Sequence, residues 1–266
     1  MRQQSIKARS AAKDTRTRTA WRTGPALARL GPGEVHIWQV ALDASPPGSA
    51  LEATLSDDER ARASRFHFAE TRSRFVAGRR ALRDILARYG RGPKTAGDLR
   101  FATGRYGRRS LVEPEGVHFN FTRSGPLALC AVGRTELLGV DLERIRPIPE
   151  AGSITQSHFS KREQDLLASL GVPPESLAFQ RAFYATWTRK EAFIKALGLG
   201  LAQPLDSFSV TLLPGQRPRL LEVPDGRPTA WTLRAFSPAP GYEAALAIRT
   251  VRVRLVFWTW TPQPPR

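Results

Sequence analysis

Three carboxylates and one amine in this sequence stand at spacings that could bring them to a single site. Glu191 lies four residues after Trp187 and four residues before Lys195, and residues four apart on a helix share one face. About fifty residues upstream, Asp141 and Glu143 alternate with apolar residues, which in a strand puts both carboxylates on the same side. Carboxylate oxygens are the ligands that hard divalent cations prefer. Together these residues could form a cleft that holds a metal ion and an anionic substrate.

Each part of this set also has a purely structural interpretation. Asp141 and Glu143 precede Arg144 at the end of the predicted strand, where they could simply balance nearby arginines in solvent. Glu191 and Lys195 could be an ordinary helix pair, which stabilises a helix by only ~0.3–0.5 kcal/mol. Taken separately, both pairs favour the structural interpretation, so the functional one depends on the motifs that accompany them.

Basic and hydroxyl-bearing residues form two further groups. The first is residues 105–109, a basic turn, followed by the hydroxyl-rich residues 120–125. Guanidinium groups beside a turn with hydroxyls and free backbone N–H groups can bind a phosphate bidentately. The second group lies on the predicted helices of the first half, and its members are Arg60, Arg62, Arg65, Arg79, Arg80 and Arg83. Exposed arginines are common in turns and on helix faces, so neither group is specific by itself.

The elements that must position these residues follow an α+β pattern. Ser56 and Ser160 are typical of helix N-caps, and Glu163 completes a capping box at the second. Long helices are predicted over about residues 70–89 and 177–197, with short strands after each of them. Each half thus runs from a serine-capped helix to a long helix and then to antiparallel strands. We therefore predict an α+β fold of two similar lobes related by pseudo-twofold symmetry, each a small, mainly antiparallel sheet packed with a long helix.

The predicted boundaries leave both ends of the chain outside the fold. Residues 1–33 carry eight basic residues against Asp14 alone, with little apolar periodicity. We predict that they form a basic disordered tail whose removal leaves folding intact. The first lobe is predicted over residues 34–138 and the second over residues 139–260. The Pro-rich residues 261–266 are predicted to form a frayed terminus.

Composition limits the class of protein. The 266 residues can bury a substantial core. The single cysteine, Cys130, permits no intramolecular disulfide and no zinc cysteine cluster, which is typical of a cytoplasmic protein. No apolar run approaches the ~20 residues that span a bilayer and no secretory signal is visible, so no membrane association is predicted. The net charge of +17 favours polyanionic partners without identifying one.

The order of these motifs and the residues in them resemble those of a known family, the 4′-phosphopantetheinyl transferases of the surfactin-synthetase-activating type. The resemblance spans residues 55–246. It is most specific in two acidic motifs, Gly139-Val140-Asp141-Leu142-Glu143 and Trp187-Thr188-Arg189-Lys190-Glu191-Ala192-Phe193-Ile194-Lys195. Weaker matches are Arg62-x-x-Arg65-Phe66, Gly78-Arg79, Tyr106-Gly107-Arg108, Asn120-x-Thr122-Arg123-Ser124-Gly125 and Phe159-Ser160.

The resemblance implies transfer of the phosphopantetheine arm of coenzyme A to a serine of an apo carrier protein, with release of adenosine 3′,5′-bisphosphate. It implies that Asp141, Glu143 and Glu191 hold Mg²⁺ on the pyrophosphate. Glu191, or a water on the metal, would take the serine proton, and Lys195 would support the phosphates and protonate the leaving group. The implied coenzyme-binding residues are Arg62, Arg79, Arg108, Thr122, Arg123, Asp141 and Lys195.

Two positions depart from the family pattern. Arg108 and Arg109 stand where the family usually has a lysine followed by a proline. Arg123 stands where the family usually has a histidine. Because both changes keep or add positive charge, we predict that Arg123 and Arg108 bind the 3′-phosphate of coenzyme A.

The sequence does not identify the carrier, since acyl carriers of fatty-acid and polyketide synthesis and peptidyl carriers of nonribosomal peptide synthesis all present a serine at the start of an acidic helix. Two fused lobes would make a monomer sufficient. The competing interpretations are a nucleic-acid-binding protein, prompted by the basic tail, and an inactive module that only binds carriers. No specific nucleic-acid partner is predicted, because Trp21 is the one aromatic residue among the arginines of the tail. The intact acidic set argues against the inactive module.

Overall fold

The computed structural model describes residues 20–44, 54–90, 95–113, 116–213 and 216–262. The predicted tail up to residue 19 and the predicted terminus from residue 263 lie outside these described residues. Within them the chain forms five α-helices and twelve β-strands, which are mixed along the sequence. The predicted α+β class is therefore confirmed.

The helices are α1 (Asp57–Ser64), α2 (Ala69–Ala87), α3 (Ala151–His158), α4 (Lys161–Ala168) and α5 (Leu177–Leu197). Ser56 is the N-cap of α1 and Ser160 is the N-cap of α4. The backbone N–H of each serine donates to the carboxylate of the glutamate three residues later. α5 ends at Gly198, whose φ of 72° is a left-handed conformation that glycine adopts without strain. No helix in the described part of the chain is both long and apolar enough to cross a membrane.

The strands are β1 (Arg22–Thr23), β2 (Glu34–Ala41), β3 (Phe101–Thr103), β4 (Arg109–Leu111), β5 (His118–Ser124), β6 (Leu127–Gly133), β7 (Leu138–Arg144), β8 (Ser209–Val210), β9 (Leu220–Glu222), β10 (Thr232–Phe236), β11 (Tyr242–Ile248) and β12 (Arg254–Thr259). They form a five-stranded sheet in the order β1-β12-β2-β6-β5, a three-stranded sheet in the order β10-β11-β7, and two small hairpins, β3-β4 and β8-β9. β6 and β11 are buried along their whole length, because each has a neighbour on both sides and both of its faces are covered.

Strand alternation divides the core into layers. On β6, the even-numbered residues 128–132 pack with α2, whereas the odd-numbered residues 127–131 pack against the second sheet. On β11, the even-numbered residues face the first sheet, and Ala245 and Ala247 pack with α5. The layers therefore follow the order α2, first sheet, second sheet, α5. Side chains of β7 that point away from the first sheet point towards α5.

Residues 20–33 differ from the predicted tail, because they are part of the fold. β1 pairs in parallel with β12. The Trp21 ring meets the Phe257 ring edge-on, with 5.2 Å between the centroids. Ala28 and Leu30 are buried in the core that α2 shares with the first sheet. The apolar residues of this segment have no regular spacing, so sequence periodicity does not reveal them.

Removal of residues 20–33 is expected to destabilise the protein. Two truncations test this, one beginning at residue 20 and one beginning at residue 34. The longer deletion removes β1 and the buried side chain of Leu30, and burial of one such side chain contributes about 1.5–3 kcal/mol. The midpoint of thermal unfolding should therefore fall by several degrees from the shorter to the longer truncation. Equal midpoints would show that these residues contribute nothing to stability.

β12 departs from the predicted division of the chain at residue 139. It follows β11 in sequence, but it pairs in parallel with β2 of the first sheet. Leu255 and Phe257 pack into the core between the sheets, which favours this position over an exposed edge. The first sheet therefore draws strands from both predicted lobes, and it is mixed rather than mainly antiparallel.

Without β1, β12 and the extra helix α3, the two halves contain matching elements in the same order. β2, α1, α2, the β3-β4 hairpin, β5 and β6 correspond to β7, α4, α5, the β8-β9 hairpin, β10 and β11. The sheet orders also match, with β5-β6-β2 in one half and β10-β11-β7 in the other. This correspondence is consistent with the two-lobe prediction.

Candidate active site

The two acidic motifs meet where β7 packs against α5. Gly139 makes the close approach possible, since a Cβ atom added to it would lie 2.1 Å from the carbonyl oxygen of Ala192 and 2.4 Å from the backbone nitrogen of Ala196. Both of these atoms belong to the helix backbone, which cannot move aside as a flexible side chain could. The sequence thus has glycine where strand and helix touch, two residues before Asp141.

The Lys195 ammonium group binds the Asp141 carboxylate directly. Its Nζ donates to Asp141 Oδ1 at 2.5 Å and to the hydroxyl oxygen of Thr122 at 3.1 Å. The Thr122 hydroxyl in turn donates to the same Asp141 oxygen at 3.3 Å. Asp141 is only 3% exposed, so the charge-assisted bonds are sheltered from the water that weakens surface ion pairs. Thr122, a predicted coenzyme ligand, positions this pair.

Side chains of β5 hold β7 along its edge. The side-chain oxygen of Asn120 accepts from the backbone N–H of Val140 at 2.9 Å, and the Ser124 hydroxyl donates to Glu143 Oε2 at 2.8 Å. With Thr122, these residues alternate along β5 and face the acidic strand. The segment is thus a strand up to Ser124, with the turn after it at Gly125. The hydroxyl groups of Thr122 and Ser124 are bonded to carboxylates instead of being free for a phosphate.

The carboxylates of this site raise the pKa values of their neighbours. Burial raises the pKa of Glu191, and the charge of Asp141 raises it further. Burial and Asp141 also raise the pKa of Glu143, although the hydrogen bond from Ser124 acts in the opposite direction. Burial works to lower the pKa of Lys195, but the surrounding carboxylates raise it overall. Three acids facing one amine give a site that attracts a further cation.

One observation indicates that these residues could bind a divalent cation. Asp141 Oδ2 is buried and has no hydrogen-bond partner among the described residues, and a buried polar atom of this kind is costly unless something binds it. In the described ranges, no three His, Cys, Asp or Glu side chains form a ready-made metal site. The unpartnered carboxylate oxygen suits Mg²⁺, which binds carboxylates and completes its shell with water and substrate phosphates.

A cavity of about 250 Å³ leads from Lys195 to a group of arginines. Arg79 of α2, Arg108 of the β3-β4 turn and Arg109 of β4 also line it. A larger cavity, of about 510 Å³, lies against the same β3-β4 hairpin and shares Arg109 with the first. The amine bonded to Asp141 thus lines one cavity together with Arg79 and Arg109 of the first half.

The arginines around Arg79 repel one another. Arg62 and Arg79 both lie over the Phe75 ring, at 5.7 and 5.2 Å from its centroid. Burial, and then the like charge of Arg109, lowers the pKa of Arg79 to about 10, with smaller contributions from Arg62 and Arg123. Burial and Arg62 also lower the pKa of Arg123. A bound anion would relieve this repulsion.

The guanidinium group of Arg108, a predicted ligand of the 3′-phosphate, binds backbone. It donates to the carbonyl oxygens of Ala196 at 3.0 Å and Lys195 at 3.4 Å, at the end of α5. It also donates to the carbonyl oxygens of Glu136 and Leu138, where β7 begins. The last carbonyls of a helix lack intrahelical partners and attract cations. Arg108 therefore ties the end of α5 to β7, although its side chain also lines both cavities.

Behind the site, a buried ion pair fixes α5. Lys190 Nζ donates to the two carboxylate oxygens of Glu163 at 2.9 and 2.7 Å, and to the carbonyl oxygen of Phe208 at 2.6 Å. The first half contains the same device in Glu59 and Arg83, which are joined at 2.7 Å and are each 2% exposed. Because breaking a buried pair is strongly destabilising, each pair anchors a long helix to the capped helix that precedes it.

The structure brings the predicted residues together in two groups. The acidic group contains Asp141, Glu143, Glu191, Lys195 and Thr122, and the arginine group contains Arg62, Arg79 and Arg123. Arg108 belongs to neither. Sequence reasoning missed Asn120 and Ser124 as partners of β7 and Arg109 as a member of the arginine group. Period-two alternation is the signal that could have found them, since it separates residue 108 from 109 and aligns residues 120, 122 and 124.

Comparison with known proteins decides the family. Residues 137–248 match the model of the 4′-phosphopantetheinyl transferase superfamily. The 4′-phosphopantetheinyl transferase HetI of Nostoc sp. is 39% identical over 245 residues, which are 90% of this chain and 97% of that protein. The chain belongs to this superfamily. The 4′-phosphopantetheinyl transferase Sfp of Bacillus subtilis is 33% identical over 193 residues, 72% of this chain and 81% of Sfp. The 4′-phosphopantetheinyl transferase psf-1 of Bacillus pumilus is 31% identical over 201 residues, 75% and 81% of the two chains.

The predicted family resemblance is thereby confirmed, and the protein is a transferase. The family match at residues 137–248 contains both acidic motifs of this transferase, from Asp141 to Lys195. The arginine group lies outside the matched range, in the first half. The evidence for the role of the arginine group is therefore its geometry.

Proposed function

We propose that this transferase moves the 4′-phosphopantetheine arm of coenzyme A to a serine of an apo acyl or peptidyl carrier protein and releases adenosine 3′,5′-bisphosphate. The observation that carries the proposal is the single cavity that joins Lys195, hydrogen-bonded to Asp141, to Arg79 and Arg109. Coenzyme A carries a pyrophosphate and a separate 3′-phosphate on one ribose, so it needs cations at two neighbouring places.

The acidic group is suited to the reacting pyrophosphate. Asp141, Glu143 and Glu191 would hold Mg²⁺, which when bound would neutralise charge on the phosphate oxygens. Lys195 lies beside the same carboxylate, so its ammonium group can donate to the oxygen that leaves as the pyrophosphate bridge breaks. Burial raises the pKa of Glu191, which makes it a better acceptor for the proton of the attacking serine.

The arginine group is suited to the 3′-phosphate. Arg62, Arg79 and Arg123 are retained as coenzyme-binding residues, because their mutual repulsion favours an anion between them. Arg108 is not retained, since its donors are bonded to backbone carbonyls. Thr122 acts on the coenzyme through Asp141 and Lys195, both of which its hydroxyl contacts.

Replacement of Arg108 by alanine is expected to lower stability and turnover without changing the preference for coenzyme A over 3′-dephospho-coenzyme A. Its loss removes the donor that the Lys195 and Ala196 carbonyl oxygens share at the end of α5, which costs about 1–3 kcal/mol. Thermal unfolding and kinetics with both donors measure the two effects. Arg108→Lys keeps a cation at the helix end and should recover part of the loss. A narrowed donor preference in Arg108→Ala would show that this arginine binds the 3′-phosphate after all.

Net charge and element order support the remaining parts of the proposal. The net charge of +17 favours a carrier that presents its serine at the start of an acidic helix.

The matching element order of the two halves supports two lobes related by pseudo-twofold symmetry, with β12 shared between them. Because one chain supplies both residue groups, a monomer would suffice. We place the activity in the cytoplasm, where coenzyme A and newly made carriers meet.

Binding of coenzyme A distinguishes this function from the two competing ones. We expect calorimetry to show binding that is strengthened by Mg²⁺ and weakened again by EDTA. A nucleic-acid-binding protein would bind polyanions without a Mg²⁺-dependent preference for coenzyme A. An inactive module would bind apo carrier and leave its mass unchanged. No binding of coenzyme A with or without Mg²⁺ would contradict the proposed function.

A further inference from the structure

The buried carboxylates of the two halves differ in how fully they are bonded. Glu163 accepts from Lys190 at both of its oxygens and from the backbone N–H groups of Ser160 and Val210. All of these donors belong to the packed interior. Glu163 therefore has a purely structural set of partners, and none of them reaches a cavity.

One carboxylate oxygen of Glu59 faces a different partner. Its Oε2 accepts from Arg83 at 2.7 Å and from the backbone N–H of Ser56 at 3.2 Å, which repeats the arrangement of the second half. Its Oε1 lies 3.0 Å from a guanidinium nitrogen of Arg109. Among the described residues Oε1 has no hydrogen bond of good geometry, so the attraction between Glu59 and Arg109 is mainly between charges.

Arg109 spans the distance between this carboxylate and the cavity. Glu59 is 2% exposed whereas the Arg109 side chain is 20% exposed, so the acid lies behind the arginine. The guanidinium group of Arg109 also lies over the Phe101 ring, 4.7 Å from its centroid. Glu59 and Phe101 contact Arg109 on the side away from the cavity. Arg109 therefore retains N–H donors that can bind a ligand in the cavity.

We propose that Glu59 is a positioning residue that holds Arg109 in the cavity wall, where Arg109 favours a donor molecule bearing a phosphate monoester. This inference rests on the proposed function, under which that group is the 3′-phosphate of coenzyme A. Arg79 lines the same cavity, and the like charges of Arg62 and Arg123 act on it. Without the carboxylate behind it, Arg109 would be repelled from them towards solvent.

A structural role for Glu59 makes a different prediction. If Glu59 only anchored α2 through Arg83, as Glu163 anchors α5 through Lys190, its loss would lower stability and leave the choice of donor unchanged. The preference for coenzyme A over 3′-dephospho-coenzyme A, taken as the ratio of their kcat/KM values, therefore separates positioning from stability.

The experiment measures this ratio in the full-length protein and four variants. Arg109→Gln should reduce the ratio by roughly 10- to 100-fold, the size of one charge-assisted hydrogen bond. Glu59→Gln should reduce it by a smaller factor, on the order of 3- to 10-fold. Glu163→Gln is the matched control from the second half, and Arg249→Gln removes an exposed arginine at the end of β11. Neither control should change the ratio.

A double variant tests whether Glu59 acts through Arg109. In the Arg109→Gln background, Glu59→Gln should leave the ratio unchanged, because the group that it positions is gone. An equal reduction in both backgrounds, or a wild-type enzyme that uses the two donors equally well, would overturn the inference while leaving the proposed function in place. A folded wild-type protein that transfers from neither donor would overturn both. If Glu59→Gln does not fold, an unchanged ratio in Arg109→Gln alone is sufficient to reject the inference.

Discussion

Replacing Asp141 by alanine is expected to slow transfer of the phosphopantetheine arm by a factor on the order of 10²–10³ or more. Asp141 binds the Lys195 ammonium group and presents a buried, unpaired oxygen to the proposed Mg²⁺. Alanine removes the metal ligand and the partner of the amine together. Glu191→Ala should have an effect of similar size, because it removes another ligand and the candidate base. The rate of carrier modification at saturating coenzyme A and Mg²⁺ measures both.

Two controls separate this effect from general damage. Asp141→Asn keeps the size of the side chain but removes its charge, and it should be nearly as slow as Asp141→Ala. Glu150→Gln removes an exposed carboxylate just before α3, and it should transfer at the wild-type rate. If either alanine variant transfers at a near wild-type rate while remaining folded, the metal assignment is wrong.

Gly139→Ala should be the most damaging substitution that leaves every charged side chain of the site intact. Its Cβ would meet the backbone of α5 at 2.1 and 2.4 Å, so β7 and α5 must separate. Overpacking of this kind costs about 1–3 kcal/mol and sometimes more. The same separation moves Asp141 away from Lys195, and misplacement by about 1 Å can reduce a rate on the order of 10²-fold. Thermal unfolding and transfer kinetics should both show the loss.

Gly97→Ala is the matched control for this substitution. Its Cβ would meet only the Thr95 hydroxyl, at an ordinary 3.6 Å, and residue 97 is exposed. It should leave both measurements unchanged. A Gly139→Ala variant as stable and as active as this control would show that the contact of β7 with α5 does not position the acidic group.

Features set by local sequence could be predicted well. The N-caps at Ser56 and Ser160, the capping box at Ser160 and the extent of α5 depend on neighbouring residues alone. The alternation at Asp141 and Glu143 predicted the side of β7 on which they lie, and the structure has Asp141 bonded to Lys195 of α5. Such features depend little on contacts with distant parts of the chain.

Features set by distant contacts could not be predicted. β12 pairs with β2, from which it is separated by more than two hundred residues, and nothing in its own pattern names that partner. The sequence shows that Arg108 and Arg109 are both basic, but it does not show that one meets the end of α5 and the other meets Glu59. The apolar residues at 20–33 are too few and too irregular to reveal that they join the core.

The intact mass of an apo carrier protein, measured after incubation with the enzyme, coenzyme A and Mg²⁺, tests the proposed transfer most directly. We expect the mass to increase by one phosphopantetheine arm, with one adenosine 3′,5′-bisphosphate released for each carrier modified. The increase should be absent when the carrier serine is replaced by alanine or when the enzyme carries Asp141→Ala. Unchanged carrier masses across a panel of acyl and peptidyl carriers, with a folded enzyme that binds coenzyme A, would contradict the proposal.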